Sequence, residues 1–121
     1  MTRVCEVLVA EDNNDHWDLL RHAFGKLAEG VKTRIRVRRV VSCEEALVIL
    51  RCGQSHIALV LSDNDCPNAN DGIGLRDILA EEFPGILFVL MSNCAPEGVN
   101  CVSKEDFGAI WEEVLQRLAI A

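Results

Sequence analysis

Short apolar runs alternate along this chain with stretches of helical period, and the alternation lays out a set of elements. Val4 to Ala10 is apolar and β-branched, ends in Glu11-Asp12 and runs into Asn13-Asn14-Asp15, which suits a buried strand opening into a loop and a helix N-cap. From His16 onward Trp17, Leu20, Phe24 and Leu27 recur at helical spacing, predicting one amphipathic helix that ends near Gly30. Arg34 to Arg38 alternates cation with aliphatic, the period of a strand with one face in water, and so predicts a sheet edge. Ser42-Cys43-Glu44-Glu45 reads as a capping box for a second helix through Leu47 and Leu50 that stops by Gly53. Ile57 to Leu61 is apolar without interruption, as a strand buried on both faces is, and runs into Ser62-Asp63-Asn64-Asp65. Asp71-Gly72 opens a third helix carrying Leu75, Ile78 and Leu79, and Pro84-Gly85 breaks it before a fourth strand, Ile86 to Met91, which ends at Ser92-Asn93. A short piece from Val99 to Ser103 leads to Lys104, and a last helix carries Ile110, Trp111, Val114, Leu115 and Leu118. Strands alternating with helices predict an α/β fold with a parallel sheet covered on both faces.

Composition narrows the function classes. With 121 residues, 50% hydrophobic and 26% charged, the chain reads as one soluble globular domain over residues 1–121, able to bury a core without disulfides. No apolar run is long enough to cross a bilayer, and Met1 to Ala10 lacks the apolar stretch of a secretory signal, so a cytoplasmic location is expected. The net charge of −7 disfavours nucleic acid as a partner. Lys32, Arg34, Arg36, Arg38 and Arg39 hold five of the twelve cations, a cluster suited to guarding a sheet edge or to docking an acidic partner. Six cysteines without a C-x-x-C pair read as reduced, mostly buried thiols. His16, His22 and His56 read as helix-surface or loop residues, and Trp17 and Trp111 as packing at the core edge.

The chemistry lies at the strand ends. In an open parallel sheet, ligands bind outside the C-terminal ends of the strands. Glu11 and Asp12 follow the first strand, Asp63 and Asp65 the third and Ser92 the fourth, with Lys104 after the short fifth piece. Carboxylates gathered there make an oxygen-rich pocket suited to Mg²⁺, while a lysine and a hydroxyl suit a phosphoryl group. One aspartate could then serve as a nucleophile.

These residues resemble, in order and spacing, the receiver domain of two-component response regulators. The likeness rests on Val7-Leu8-Val9-Ala10-Glu11-Asp12-Asn13, on Leu59-Val60-Leu61-Ser62-Asp63 with Pro67 and Asp71-Gly72 beyond it, on Ser92 and on Lys104. The resemblance implies a flavodoxin-like, doubly wound sheet of five parallel strands in the order 2-1-3-4-5. It implies Asp63 as phosphoacceptor, Asp12 as a direct Mg²⁺ ligand and Glu11 as a holder of the metal's water. Asp65 would offer its backbone carbonyl to the metal, Ser92 would sense the phosphoryl group and Lys104 would pair with it. It further implies a stand-alone receiver that takes its phosphoryl group from a histidine kinase or histidine phosphotransfer protein. Such a chain is a signalling module, not a metabolic enzyme, and acts on a downstream protein target through contacts. Beside the pocket, the first helix, with His16, Trp17 and Leu20, would face the kinase.

The chain also departs from the family. Ser92 and Lys104 are only twelve positions apart, and Asn93 to Gly98, with Pro96, leaves little room for the fourth helix that the family places there. A fifth strand would then be parallel by a tight loop, displaced, or exchanged within a homodimer. Glu105 stands where a proline is common, and Cys101 where a switch aromatic is usual. An alternative reading is therefore a degenerate receiver serving as a phosphorylation-independent adaptor or dimerisation module, favoured by an apolar patch uncovered where the helix is missing. A flavodoxin-like cofactor binder fits poorly, since no glycine- or Ser/Thr-rich loop follows the first strand. Cys66 and Cys94 flank the pocket, with no activating cation or helix end legible beside them.

Overall fold

The computed structural model describes residues 4–53, 56–94 and 97–120. Pro96 and the first three residues, which entered the reading above, lie outside the described residues. Nine elements follow in order: β1 (Cys5–Ala10), α1 (Asn14–Gly25), α2 (Glu29–Lys32), β2 (Ile35–Val40), α3 (Cys43–Cys52), β3 (Ile57–Asp63), α4 (Asp71–Glu82), β4 (Leu87–Met91) and α5 (Phe107–Arg117). The sheet is parallel in the order β2-β1-β3-β4.

The period-2 alternation of β1 and β3 divides the core between the two faces of the sheet. Val7, Val9, Leu59 and Leu61 pack with Leu20, Ile110, Trp111 and Val114 on the face covered by α1 and α5. Leu8, Ala10 and Val60 pack with Ala46, Leu50, Leu75 and Leu79 on the face covered by α3 and α4. Trp111 is deeper than the core edge: it is fully buried, and its indole N–H donates to the Leu20 carbonyl at 2.9 Å. Three of the six free thiols, Cys52, Cys94 and Cys101, are exposed, so the thiols are less buried than expected.

The helix starts follow local chemistry. Asn13 caps α1 by accepting the His16 amide at 2.9 Å, and Ser42 Oγ caps α3 by accepting the Glu45 amide at 3.0 Å. Glu45 itself is exposed and does not close the expected capping box. Gly53, at φ 71°, ends α3 in the left-handed conformation that glycine adopts freely.

Two expectations are corrected. The first helix does not continue to Gly30: it stops at Gly25, where Lys26 turns back onto Ala23 and Phe24, and a separate turn, α2, follows. Glycine is a poor helix interior residue, and Lys32 Nζ fixes the break by donating to the Gly25 carbonyl at 2.9 Å. The sheet has four strands, not five, among the described residues. What remains of a fifth is one parallel bridge: Val102 donates to the Leu90 carbonyl at 2.8 Å and accepts from the Ser92 amide at 2.9 Å. A parallel partner for all of β4 must descend and return along its length, about 16 Å each way, or about ten extended residues before any turn. Only eleven residues lie between Ser92 and Lys104, which leaves about one for the turns, and among the described residues no helix lies between β4 and α5.

Candidate functional site

The register of the sheet assembles the site. Ala10 lies opposite Ser62 and Asp63 opposite Met91, so Glu11, Asp63 and Ser92 emerge side by side where β1, β3 and β4 end. Carboxylate oxygens of Glu11, Asp12 and Asp63 lie within 4.8 Å of one another. Lys104 enters from the loop before α5 and places Nζ 2.9 Å from Asp63 Oδ2. The sheet thus brings together five of the six residues singled out in the sequence. The sixth, Asp65, is exposed; its amide donates to Asp63 Oδ1 at 3.2 Å, and its own carboxylate accepts the Asn70 amide at 3.2 Å.

Crowding sets the electrostatics. Burial pushes the Asp63 carboxyl above the ordinary carboxylate value, the neighbouring Glu11 charge adds to the rise, and contact with Lys104 only partly offsets it. Burial works against the Lys104 charge, but Asp63 outweighs it and the ammonium is strengthened. Glu11 is fully buried. One of its oxygens accepts the Asn13 amide at 3.0 Å, while Oε2 lies 2.7 Å from His16 Nδ1, off the ring's donor direction, so that neither atom counts as hydrogen-bonded. Burial alone pushes Glu11 up; pairing with His16 and the Asn13 amide more than offsets it and holds the carboxyl low. Three close carboxylates facing one lysine leave negative charge in surplus, and hard oxygen donors of this kind fit Mg²⁺ or a similar divalent cation.

His16 is a correction to the sequence reading. It is no surface residue: its ring lies against Phe107, and its other nitrogen meets the backbone carbonyl of Lys104. One ring nitrogen meets a carbonyl and the other lies beside a carboxylate, surroundings that favour the protonated ring. Burial disfavours that charge, but Glu11 and the Lys104 carbonyl overcome it and raise the His16 pKa. Leu20 is corrected as well: fully buried in the core, it cannot face a partner, whereas Leu19 is 54% exposed on α1.

A pH dependence follows for the metal-free protein. The raised His16 pKa gives stability that is complete below its ordinary value of 6.5 and fades as pH rises through the folded value. The lowered Glu11 pKa gives stability that is complete above 4.5 and fades on acidification. In EDTA, His16→Gln is therefore expected to cost most between those two values, on the order of 1.5 kcal/mol, the low end for a bond to a charged group, because the contact is bent. Thermal unfolding of both proteins from pH 4 to 8 measures this, and a pH-independent difference would contradict it.

Other residues support the site without a motif to announce them. Asn93 Oδ1 accepts both Ser103 Oγ at 3.0 Å and the Lys104 amide at 3.1 Å. Buried Asn64 accepts the Ile73 amide and donates to Asn70, stitching the β3–α4 loop. Arg39 leaves the cationic edge to bond the Glu11 carbonyl at 3.0 Å and Asn14 at 2.8 Å, 5.6 Å from the Trp17 ring. Ser92 Oγ accepts the Cys94 amide at 3.1 Å, and among the described residues no acceptor takes its own proton.

Beyond the site, a groove of about 490 Å³ runs between β4, α4 and α5. Arg76, Glu113 and Arg117 wall it together with Phe88, Leu90 and Val102. Of the exposed large hydrophobics among the described residues, only Leu87 lies on β4, so no broad apolar face is uncovered there.

Solved structures share this architecture. The phosphorylated cyanobacterial phytochrome response regulator RcpA superposes with a TM-score of 0.73 at 20% identity, over 98% of this chain and 96% of that one. The fold is that of a response-regulator receiver domain. The non-phosphorylated receiver domain of the stress response regulator RcsB from Escherichia coli gives 0.71 at 14% identity, over 97% and 94%. The Mn²⁺-bound form of the response regulator Rcp1 gives 0.70 at 14% identity, over 92% of each chain. No family model matches the sequence, and no curated protein matches it. The fold is thus shared with these structures at 14–20% identity. No helix is long and apolar enough to cross a membrane among the described residues.

Proposed function

We propose that this chain is a receiver module of two-component signalling, in which Asp63 accepts a phosphoryl group from the phosphohistidine of a kinase or phosphotransfer protein. The observation that carries the reading is the convergence of Glu11, Asp12 and Asp63 within 4.8 Å, with Lys104 Nζ 2.9 Å from Asp63. An Asp63 oxygen attacks phosphorus, the bond from phosphorus to the donor's nitrogen breaks, and the electron pair leaves with the imidazole. Lys104 moves its charge from the carboxylate to the phosphoryl oxygens, and Ser92 donates its free proton to another. Glu11 and Asp12, with Asp63 and the Asp65 carbonyl, would hold Mg²⁺, which neutralises the charge that otherwise repels a phosphoryl group. His16 and Asn93 hold the Lys104 backbone in place. On this reading the protein turns over nothing but its own acyl phosphate, and its output passes to a downstream protein through contacts.

Intact mass after incubation with acetyl phosphate and Mg²⁺ tests the proposal. The expected result is a gain of about 80 Da, one phosphoryl group, absent from Asp63→Asn and absent in EDTA. Folded wild-type protein that gains no mass, or an Asp63→Asn variant that gains it equally, would overturn the reading; the former would favour a phosphorylation-independent adaptor.

A further inference from the structure

Two cysteines bring the β3–α4 loop against the start of α3. Cys43 is the first residue of α3, and Cys66 lies three residues past Asp63. The Cys43 amide donates to the Cys66 carbonyl at 3.0 Å. Covalent geometry then keeps the two α-carbons below about 6.8 Å, the outer limit a disulfide spans. Both side chains belong to the same core cluster, Cys43 at 6% exposure and Cys66 at 0%. Cys43 Sγ lies 3.5 Å from Ser62 Oγ, and Cys66 Sγ 3.7 Å from the carbonyl of Val41, the residue before the Ser42 cap of α3.

Cys43 is the more reactive of the two. Contact with Cys66 lowers its pKa, with burial opposing. Position adds to this, because a thiolate in the first turn of a helix meets the positive end of its dipole. Access is available too: an open groove of about 450 Å³, lined by Cys43, Leu47, Pro67, Asn68, Asp71 and Leu75, admits a small oxidant.

We propose that Cys43 and Cys66 form a peroxide-oxidisable pair whose disulfide pins the β3–α4 loop to the start of α3. The Cys43 thiolate attacks one oxygen of hydrogen peroxide, the O–O bond breaks, and hydroxide leaves to take up a proton, giving a sulfenic acid. The Cys66 sulfur then attacks the Cys43 sulfur, the S–O bond breaks, and the Cys66 proton leaves with the hydroxide as water. Two thiols and one peroxide thus become one disulfide and two waters. The crosslink constrains the segment that follows Asp63 and carries Asp65, yet its formation needs neither metal nor phosphoryl group.

The test uses the full chain carrying Cys52→Ser, an exposed position, so that tryptic peptides 40–51 and 52–76 hold only Cys43 and Cys66. After peroxide and alkylation of the remaining thiols, the expected result is a loss of about 2 Da for the two thiol hydrogens, a linked pair of these peptides and recovery of both thiols with a reductant. With Cys66→Ser in addition, Cys43 is expected to stop at the sulfenic or sulfinic acid. Recovery of both cysteines as alkylated free thiols, or a link that maps to any other cysteine, would overturn the proposal. Phosphoryl uptake is not a readout here, so failure of the receiver reading leaves this result standing.

Discussion

Gly72→Ala is expected to lower the unfolding temperature by roughly 12 °C, from a cost of about 3 kcal/mol at about 4 °C per kcal/mol for a domain of this size. A Cβ at Gly72 would lie 2.6 Å from the Asp63 carbonyl oxygen, 2.7 Å from the Asn64 α-carbon and 2.8 Å from Leu90 Cδ1. The first two are backbone atoms at the end of β3, and neither can rotate away. The Gly72 amide also donates to the Asn64 carbonyl at 2.8 Å, so α4 cannot retreat without giving up that bond. Gly74, two residues on in the same helix, supplies the control. Nothing lies within 4 Å of a Cβ built there, and Gly74→Ala is expected to raise stability by about 0.5–1 kcal/mol through helix propensity alone. Thermal unfolding of the three proteins decides the matter. Equal behaviour of the two alanine variants would show that the contact at Gly72 relaxes at no cost.

What the sequence made legible, and what it concealed, divides along physical lines. Elements defined by periodicity emerged at nearly their true positions: the apolar runs of β1 and β3, the caps at Asn13 and Ser42 and the stop at Gly53. Because parallel strands place their ends together, the same reading gathered Glu11, Asp12, Asp63, Ser92 and Lys104. The supporting contacts left no such trace. His16 reaches the Lys104 carbonyl across 88 residues, and Arg39 reaches the Glu11 carbonyl across 28. A bond from a side chain to a distant backbone carbonyl follows no period, and a histidine one turn into a helix looks the same whether it faces solvent or a carboxylate. The contact of Cys43 with Cys66 is hidden for the same reason, although the capping serine before Cys43 marks it as a helix-start thiol.

The absence of a fifth strand among the described residues shows how such contacts carry weight. A lysine on a full strand is held by its ladder, but Lys104 follows a single bridge at Val102. Its amide is held instead by Asn93 and its carbonyl by His16. Two side chains from β4's end and α1 thereby fix the residue whose ammonium must meet Asp63, and the site survives a shortened sheet.

Asp63→Asn is expected to stabilise the metal-free protein modestly and to abolish most of its response to Mg²⁺. The Asp63 pKa is raised in the folded state by burial and the Glu11 charge, so at neutral pH the ionised carboxylate is less favourable in the fold than in the unfolded chain. That cost disappears as pH falls through the raised value, and a neutral amide removes it at every pH. Asparagine keeps an oxygen to accept the Asp65 amide, and Lys104, with its side chain 30% exposed, can turn to water. The reverse holds once Mg²⁺ is present. A cation bound among Glu11, Asp12 and Asp63 at a hundred times its Kd adds about 2.7 kcal/mol to wild-type stability, or roughly 11 °C in Tm, and the variant has lost a central ligand. Unfolding scans of both proteins in EDTA and in Mg²⁺ separate the two effects. Equal Mg²⁺ shifts would remove Asp63 from the metal site, and a large loss of stability in EDTA would mean that the pair with Lys104 holds the fold together. The expected pattern is a carboxylate that destabilises the metal-free fold and, on the proposed reading, is offset by a bound cation.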